Sequence, residues 1–266
     1  MVTSHKYALI TGASSGIGLE LAKLFAKDQY NLVIVGRNEQ DLSAIAAQLA
    51  TEGVDVIPIV RDLFNREEVF SLYQEVKSRN IDIEVLVNDA GQGLYGEFKN
   101  TDINRELGII DLNIAALTIL TKCFLQDMLL RNSGKILNLA SIASMTPGPW
   151  QSVYHGTKAY VLSFTQAIRE ELKDYENITV TALLPGVTDT DFFNKADMNA
   201  SKAVQDKDEM ADPADVARDG YEALMSGKDK IISGFKNKLQ MAMASIAPDS
   251  TVAHMMNEQQ KPVDHD

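Results

Sequence analysis

Residues 7–18 read YALITGASSGIG and join a short apolar run to a loop that contains three glycines. The apolar run at 7–10 predicts a buried strand, and the apolar periodicity after Gly18 predicts a helix. Glycines let a backbone approach a ligand closely, and a helix N-terminus offers unpaired amide groups to an anion. This order of elements favours a phosphate-binding loop. For the loop alone, with its Gly-x-x-x-Gly-x-Gly spacing, a simple tight turn is the alternative.

The next apolar run, residues 31–35, predicts a second strand that ends at Gly36-Arg37. In dinucleotide folds an acidic residue near this strand end binds the adenine ribose hydroxyls. Here no carboxylate stands at that point, and a guanidinium suits a 2′-phosphate. We therefore predict that Arg37 favours NADP over NAD. A solvated surface arginine is the alternative.

Helical and strand patterns continue to alternate along the chain, which predicts an α/β fold with a single-domain, doubly wound parallel sheet of about seven strands and helices on both faces, a Rossmann-like arrangement. Polar residues just past the carboxyl ends of such strands face the ligand crevice, and Asp62 and Asn88 occupy such positions. The predicted strands are 7–10, 31–35, 54–60, 83–87, 135–139, 178–184 and 230–233. The predicted helices include 41–50, 65–78, 101–131, 152–174 and 212–225.

We predict one catalytic domain over residues 1–233. It includes a flexible substrate flap at about 189–211, hereafter the flap, because that stretch is mostly polar. Residues 234–266, hereafter the tail, form a Met-rich amphipathic segment that we expect to pack on the same domain or to extend it.

The chain of 266 residues carries a net charge of −12. Nucleic acids and anionic membranes attract basic surfaces, so neither is an expected partner. The one cysteine, Cys123, excludes an internal disulfide framework. We expect no signal peptide, no membrane span in the apolar stretch 107–130, which contains charged residues, no metal site, and a cytoplasmic location.

Tyr154 and Lys158 are four positions apart and therefore share one face of the predicted helix 152–174. A free tyrosine has a pKa of about 10, and a neighbouring ammonium lowers it. The pair would then be usable for acid–base chemistry near neutral pH. Because this spacing also arises by chance, a surface pair is the alternative. Asn113 lies within an apolar helix and is either a satisfied buried amide or a functional one.

These motifs occur together and in order: the glycine loop at 12–18, Asp62, the sequence Asn88-Asp89-Ala90-Gly91, Asn113, Ser141, Tyr154 with Lys158, and Pro185-Gly186. The set resembles the short-chain dehydrogenase/reductase family in its compact one-domain form, over roughly residues 5–233. Ser141 precedes Tyr154 by thirteen residues, as the family pattern requires. Joint occurrence makes the resemblance specific, although each motif alone is weak.

The resemblance implies a role for each of four residues. Tyr154 would exchange a proton with the carbonyl or alcohol oxygen, Lys158 would lower the tyrosine pKa, Ser141 would bind the substrate oxygen, and Asn113 would hold a water that completes a proton relay. The expected cofactor is NADPH. The expected cofactor-binding residues are Gly12, Ser14, Ser15, Gly16, Ile17, Gly18, Arg37, Asp62, Leu63, Asn88, Ala90, Gly91, Tyr154, Lys158, Pro185, Gly186, Thr188 and Thr190.

For the substrate, the sequence favours a hydrophobic ketone or aldehyde, bound by Ser141 and Tyr154 and by apolar residues near them. The apolar candidates are Met145, Pro147, Trp150, Val187, Phe192 and Phe193. The expected activity is carbonyl reduction, reversible as alcohol oxidation. An alcohol dehydrogenase running in the oxidative direction is the nearest rival, and an NADP-binding regulatory or redox-sensing protein with little turnover is the alternative from another class.

The sequence differs from the family pattern at two points, and one helix face predicts an oligomer. Asp89 stands where the family has a second asparagine, and the tail is longer than the family core requires. Helix 152–174 carries a second stripe, Val153, Thr157, Tyr160, Phe164 and Ala167, which would be exposed in a monomer. We therefore predict a homodimer or homotetramer assembled through the helices at about 101–131 and 152–174.

Overall fold

The computed structural model describes residues 6–206 and 210–263. Its seven strands form one parallel sheet in the order β3-β2-β1-β4-β5-β6-β7, which confirms the predicted fold class. The chain moves outward from β1 to β3 and returns to pair β4 with the other edge of β1, so a crevice opens between the carboxyl ends of β1 and β4. The strands are Tyr7–Thr11 (β1), Asn31–Gly36 (β2), Val56–Val60 (β3), Ile83–Asn88 (β4), Gly134–Leu139 (β5), Ile178–Leu184 (β6) and Lys230–Ile232 (β7).

Helices cover both faces of the sheet. The helices are Gly16–Lys27 (α1), Glu39–Leu49 (α2), Arg66–Ser78 (α3), Ile103–Ile110 (α4), Leu117–Arg131 (α5), Ser152–Glu171 (α6), Phe192–Lys195 (α7), Pro213–Met225 (α8), Phe235–Ala244 (α9) and Asp249–Gln260 (α10). Helices α1, α2 and α8 pack on one face, whereas α3, α5 and α6 pack on the other.

Strand β1 shows why the sheet is buried on both sides. Its central residues are almost entirely inaccessible: Ala8 and Ile10 pack toward α1, and Leu9 packs toward α3 and α5. Successive side chains of a strand point to opposite faces, so an unbroken apolar run serves two cores at once. The short run read from the sequence is therefore the centre of the sheet.

The long helix predicted at 101–131 begins later and is not uniform. Asp102 caps α4 by accepting a hydrogen bond from the Asn104 backbone amide at 2.7 Å. Between α4 and α5 the residues Asp111–Ala116 form a π-helical turn. The predicted long helical segment is therefore present from Ile103 to Arg131, and the π turn within it is a detail that apolar periodicity does not reveal.

The segment Ile103–Arg131 is long and apolar enough to cross a membrane. In this fold, however, one face of the segment packs into the core against α3 and the sheet, with Leu120, Phe124 and Met128 almost fully buried. Core helices with this composition are expected where a helix is covered on more than one side.

Phe124→Ala tests the packing of this face. Phe124 is 2% exposed, and its ring lies edge-on to Tyr73 with centroids 5.2 Å apart. We expect the substitution to lower the free energy of unfolding by about 3–5 kcal/mol, because it leaves a cavity in the core. Urea unfolding measures this loss. Phe98→Ala is the control, since Phe98 is 60% exposed, and an equal loss in both variants would contradict the described packing.

Candidate active site

A cleft of about 1100 Å³ opens at the carboxyl ends of the strands. One part is bordered by the glycine loop, by Arg37 and by residues that follow β3, and another part by Ser141, Tyr154, the flap and the tail. This is the crevice where doubly wound sheets bind their ligands, and it is large enough for a dinucleotide together with a small substrate.

The glycine loop has the geometry that an anion requires. Gly12 and Gly16 have φ angles of +73° and +58°, a region that favours glycine. A Cβ atom on Gly16 would lie 2.9 Å from Thr190 Cγ2, so a side chain would press on the wall of the cleft. The first turn of α1 carries no acidic residue, and no side chain caps it. These features fit a phosphate group of a nucleotide cofactor.

Most of the predicted cofactor residues line this cleft. They are Gly12, Ser14, Ser15, Gly16, Ile17, Arg37, Leu63, Ala90, Gly91, Tyr154, Lys158, Pro185, Gly186, Thr188 and Thr190.

Gly18, Asp62 and Asn88 lie outside the lining, and each has a structural explanation. Gly18 leaves room for the Asp89 carboxylate, because a Cβ atom there would lie 2.4 Å from Asp89 Oδ2. The Asp62 side chain is exposed and accepts a hydrogen bond from the Phe64 backbone amide. Asn88 is 4% exposed and donates to Thr121 Oγ1 and Asn138 Oδ1. The sequence located the correct strand ends, but the direction of each side chain depends on its neighbours.

The end of the cleft near β2 contains Arg37, as predicted, and three residues that were not predicted there: Asp41, Arg61 and Phe64. Arg37 stacks over the Phe64 ring with its guanidinium carbon 5.1 Å from the centroid. Arg61 is paired with Glu68 and Glu75. Within residues 6–206 and 210–263, Arg37 makes no ion pair. Its guanidinium is therefore held by an aromatic ring while its charge stays available for a ligand.

Tyr154 and Lys158 lie on the face of α6 that packs toward the sheet, as predicted, and both line the cleft. The Lys158 ammonium donates to the Leu139 carbonyl at 2.7 Å and lies 5.8 Å from the centroid of the Tyr154 ring. Burial raises the pKa of Tyr154 to about 12, and a hydrogen bond with Ser141 offsets part of that rise. The ammonium is directed at the β5 carbonyl, and the lowering of the Tyr154 pKa by Lys158 stays a prediction.

Lys158 is itself perturbed by its surroundings. Burial lowers its pKa to about 8, and the Asp89 carboxylate acts in the opposite direction. An amine with a pKa close to neutrality can accept and release protons at cellular pH.

The π-helical turn places Asn113 beside the cleft. Its Nδ2 donates to the Gln92 carbonyl at 2.9 Å and to Thr157 Oγ1 at 3.0 Å, and its Oδ1 accepts from the Gln92 amide at 3.0 Å. A Cβ atom on Gly91 would lie 3.4 Å from both Asn113 Oδ1 and Lys158 Nζ, so these two groups approach the same point. Wide π turns are frequent at functional sites, and this one joins the long helix to the site.

Thr157 was predicted to lie on the exposed stripe of α6, but it is buried, with 2% of its surface exposed. Its hydroxyl accepts from Asn113 and donates to the Tyr154 carbonyl at 2.7 Å. Tyr160 and Ala167 of the same stripe are exposed.

Ser141 follows β5 by two residues and caps the short 3₁₀ turn Ile142–Met145, with its hydroxyl accepting from the Ala143 amide at 3.1 Å. The same hydroxyl donates to the Pro185 carbonyl at 3.3 Å and is close enough to Tyr154 to affect its pKa. Ser141 is thus held beside the tyrosine hydroxyl, where both can reach one substrate oxygen.

The predicted substrate residues divide into two groups. Phe192, Phe193 and Val187 line the cleft, and the Phe192 ring lies 5.2 Å from the Tyr154 ring. Met145, Pro147 and Trp150 lie outside its lining. Met145 is 37% exposed, and Trp150 stacks on Tyr95 while its Nε1 donates to Asn257 Oδ1 at 3.0 Å. Trp150 therefore anchors α10, and its predicted contact with the substrate stays a prediction.

The flap, except for residues 207–209, and the tail, except for residues 264–266, fall within the described part of the chain. The flap has a small core of its own, formed by Ala196, Met198 and Val204. The tail folds back on it: the Lys202 amide donates to the Lys261 carbonyl, and the Val263 amide donates to the Ala200 carbonyl. Met256 and Gln260 of α10 line the cleft. The sequence did not predict that the tail packs on the flap, because this packing depends on contacts between segments far apart in the chain.

Asp89 is enclosed between the glycine loop and Lys158. A Cβ atom on Gly12 would lie 2.7 Å from Asp89 Oδ2, and the Gly18 amide donates to the carboxyl. Burial raises the pKa of Asp89 from 3.8 to about 7, although Lys158 and the Gly18 amide act in the opposite direction. The Asp89 carboxyl group therefore packs against the glycine loop, at a position where the family has the amide of an asparagine.

Comparison with known proteins agrees with this geometry. The family model described as "short chain dehydrogenase" matches residues 6–201. An uncharacterized oxidoreductase of Staphylococcus saprophyticus is 33% identical over 204 residues, which is 76% of this chain and 87% of that protein. The chain belongs to the short-chain dehydrogenase family and is an oxidoreductase with a Rossmann-like fold. Members of this family use NAD or NADP and act on small molecules.

Two solved structures are similar over nearly the whole chain. A short-chain dehydrogenase from Sphingobium yanoikuyae in complex with NADPH has 27% identity and a TM-score of 0.80, covering 91% of this chain and 96% of that one. A bulky-bulky ketone specific alcohol dehydrogenase from Comamonas testosteroni has 26% identity and a TM-score of 0.77, covering 95% of this chain and 99% of that one.

Asp89→Asn tests the raised pKa of this partly buried carboxyl. Because the pKa of Asp89 is higher in the folded state, its stabilising contribution is complete below about pH 4 and is lost as the pH rises to about 7. Asparagine does not titrate. We expect the wild type to lose of the order of 2 kcal/mol more than the variant between pH 5 and pH 8. Urea unfolding at both pH values measures this difference, and parallel losses would rule out the raised pKa.

Proposed function

We propose that this protein is an NADPH-dependent reductase of ketones or aldehydes, with alcohol oxidation as the reverse reaction. One observation carries the proposal: Ser141, Tyr154 and Lys158 converge in one part of a single cleft whose other part holds a phosphate-binding loop and Arg37. A protein that only bound the cofactor would have no need of a proton donor and an oxygen-binding hydroxyl beside each other.

The chain's own residues supply orientation and protons. When bound, NADPH supplies the hydride that is transferred to the carbonyl carbon. The Ser141 hydroxyl turns its one hydrogen from the Pro185 carbonyl to the carbonyl oxygen of the substrate. Tyr154 Oη transfers its proton to that oxygen as the C=O double bond becomes a single bond. The product is an alcohol and the tyrosine is left as phenolate. Lys158 then returns a proton from solvent, with Asn113 holding the water through which it passes.

Tyr154 is available as a proton donor. Burial raises its pKa to about 12, so the phenol is protonated at cellular pH, which is the form that a proton donor requires. Burial lowers the pKa of Lys158 to about 8, so this amine can exchange protons in the cellular range.

The preference for NADPH rests on Arg37. Its guanidinium lines the cleft at the end of β2, is supported by Phe64, and can bind the 2′-phosphate that distinguishes NADPH from NADH. The related dehydrogenase from Sphingobium yanoikuyae has NADPH bound, which supports the same choice.

The substrate side supports a hydrophobic carbonyl compound. Phe192 and Phe193 present two aromatic rings next to Tyr154, with their centroids 5.5 Å apart. The related enzyme from Comamonas testosteroni is specific for bulky-bulky ketones, and an aromatic wall suits such substrates.

Exposed apolar residues support the prediction of a homodimer or homotetramer. On α4 and α6, Ile103 is 57% exposed, Leu107 50% and Tyr160 36%. A homodimer or homotetramer that covers these helices stays a prediction, as does the cytoplasmic location.

Tyr154→Phe separates chemistry from cofactor binding. The variant lacks the transferable proton but keeps the ring, so NADPH should bind nearly as in the wild type while ketone reduction falls by at least about a hundredfold. NADPH oxidation and NADPH fluorescence titration measure the two effects. Tyr175→Phe, at an exposed position, is the control. Normal turnover by Tyr154→Phe would refute the mechanism.

Arg37→Ala tests cofactor choice. Loss of the guanidinium should weaken NADPH binding about tenfold or more and leave NADH binding little changed, because only NADPH carries the 2′-phosphate. Dissociation constants for both cofactors provide the readout, with Arg79→Ala on the protein surface as the control. Equal weakening of the two cofactors would show that Arg37 does not bind that phosphate.

A further inference from the structure

Gln260, the last residue of α10, is built into the wall of the cleft. It lines the cleft and is only 4% exposed. Its backbone carbonyl accepts hydrogen bonds from Tyr95 Oη at 2.6 Å and from Ser201 Oγ at 2.9 Å. One comes from the loop after β4 and the other from the flap. This residue is therefore fixed from two sides before any ligand binds.

The neighbour of its side chain, His155, has a defined tautomer. His155 Nδ1 lies 2.9 Å from the Thr146 carbonyl oxygen, which can only accept, so Nδ1 carries the hydrogen. Gly148 makes space for the ring, since a Cβ atom there would lie 2.0 Å from His155 Cδ2. Burial lowers the pKa of His155, which keeps the imidazole neutral. His155 Nε2 therefore presents a lone pair.

That lone pair determines which way the Gln260 amide faces. Gln260 Nε2 lies 3.2 Å from His155 Nε2 and must be the donor of this contact. The amide oxygen Oε1 consequently faces away from the imidazole. It is buried and has no hydrogen-bond partner within the described residues. Buried acceptors without a partner are uncommon in folded proteins, and those in a cleft point to a ligand.

A second amide that lines the cleft, that of Gln151, lacks a partner for its donor group instead of its acceptor. Gln151 is 5% exposed and lines the cleft, and its Nε2 has no hydrogen-bond partner within the described residues. Gln151 immediately precedes α6, and its carbonyl accepts from the His155 amide at 3.0 Å. Residues three and four positions apart on a helix are neighbours, so Gln151 lies next to both Tyr154 and His155.

We propose that Gln260 and Gln151 bind a hydroxyl group of the substrate, so that the preferred substrate is a hydroxylated ketone or aldehyde on a hydrophobic frame. The hydroxyl hydrogen is donated to Gln260 Oε1, and the hydroxyl oxygen accepts from Gln151 Nε2. This inference rests on the proposed reductase function and adds a second recognition point beside the carbonyl that is reduced.

Other substituents satisfy the two amides less well. A hydrocarbon would leave both atoms unpaired, and a carboxylate would place its negatively charged oxygens against the side-chain oxygen Oε1 of Gln260. An ether accepts but does not donate. A site that pairs with a hydroxyl discriminates strongly against the analogue that lacks it, because its own buried polar atoms are then left without partners.

A matched set of aryl ketones tests the proposal. At each ring position the ketone carries a hydroxymethyl, a methoxymethyl or an ethyl group, which are similar in shape but differ in hydrogen bonding. For at least one ring position we expect wild-type kcat/KM to be about tenfold or more higher for the hydroxymethyl ketone than for the other two. Gln260→Leu should reduce that ratio to about one while the ethyl ketone is still reduced.

Controls distinguish this inference from the function on which it rests. Gln74→Leu changes an exposed glutamine of α3 and should keep the wild-type ratio. If Gln260→Leu fails to fold, Gln151→Leu provides the decision, and it too should reduce the ratio. An unchanged ratio in the folded variants, or the absence of any hydroxyl preference in the wild type, overturns the proposal. No reduction of any ketone by the wild type with NADPH would refute the reductase function itself.

Discussion

The Thr11 hydroxyl joins the two strand ends between which the cleft opens. It donates to the Val87 carbonyl at 3.3 Å and accepts from the backbone amides of Asp89 and Ala90, both at 3.1 Å. Thr11 is 2% exposed, so these bonds are made away from water, where an unpaired group would be costly. Since β1 and β4 are the strands at which the sheet order reverses, this one side chain sets the positions of the glycine loop and of the turn that leads to Gly91.

The site depends on this junction from both directions. On one side the loop is packed closely enough that Gly12 and Gly18 have no room for side chains beside Asp89. On the other side Asn113 binds both backbone groups of Gln92, so the turn after β4 is attached to the long helix and through Thr157 to the helix of Tyr154. The residues proposed for acid–base chemistry and the glycine loop are thus joined by one hydrogen-bonded network, as preorganised chemistry requires.

The part of the cleft proposed to bind the substrate is built from segments far apart in the chain. Gln260 meets His155 across a separation of 105 residues, and Trp150 meets Asn257 across 107. Each of these two contacts is a single hydrogen bond between the tail and a residue at or just before the start of α6, and neither involves the sheet. On the proposed function, loops and termini would carry substrate choice on a fixed scaffold.

The sequence alone determined the parallel α/β sheet and the family, because these follow from local periodicity, glycine spacing and a specific ordered set of motifs. It also predicted that Ser141, Tyr154 and Lys158 come together, and the three residues line one cleft. The predicted end of the second strand agrees with β2, which ends at Gly36, next to Arg37. Only the tertiary structure decided that Asn88 and Asp62 turn away from the cleft, that Trp150 holds the tail, and that Lys158 faces the Leu139 carbonyl. Side-chain direction, burial and pKa depend on neighbours brought together by folding, and no local pattern encodes those neighbours.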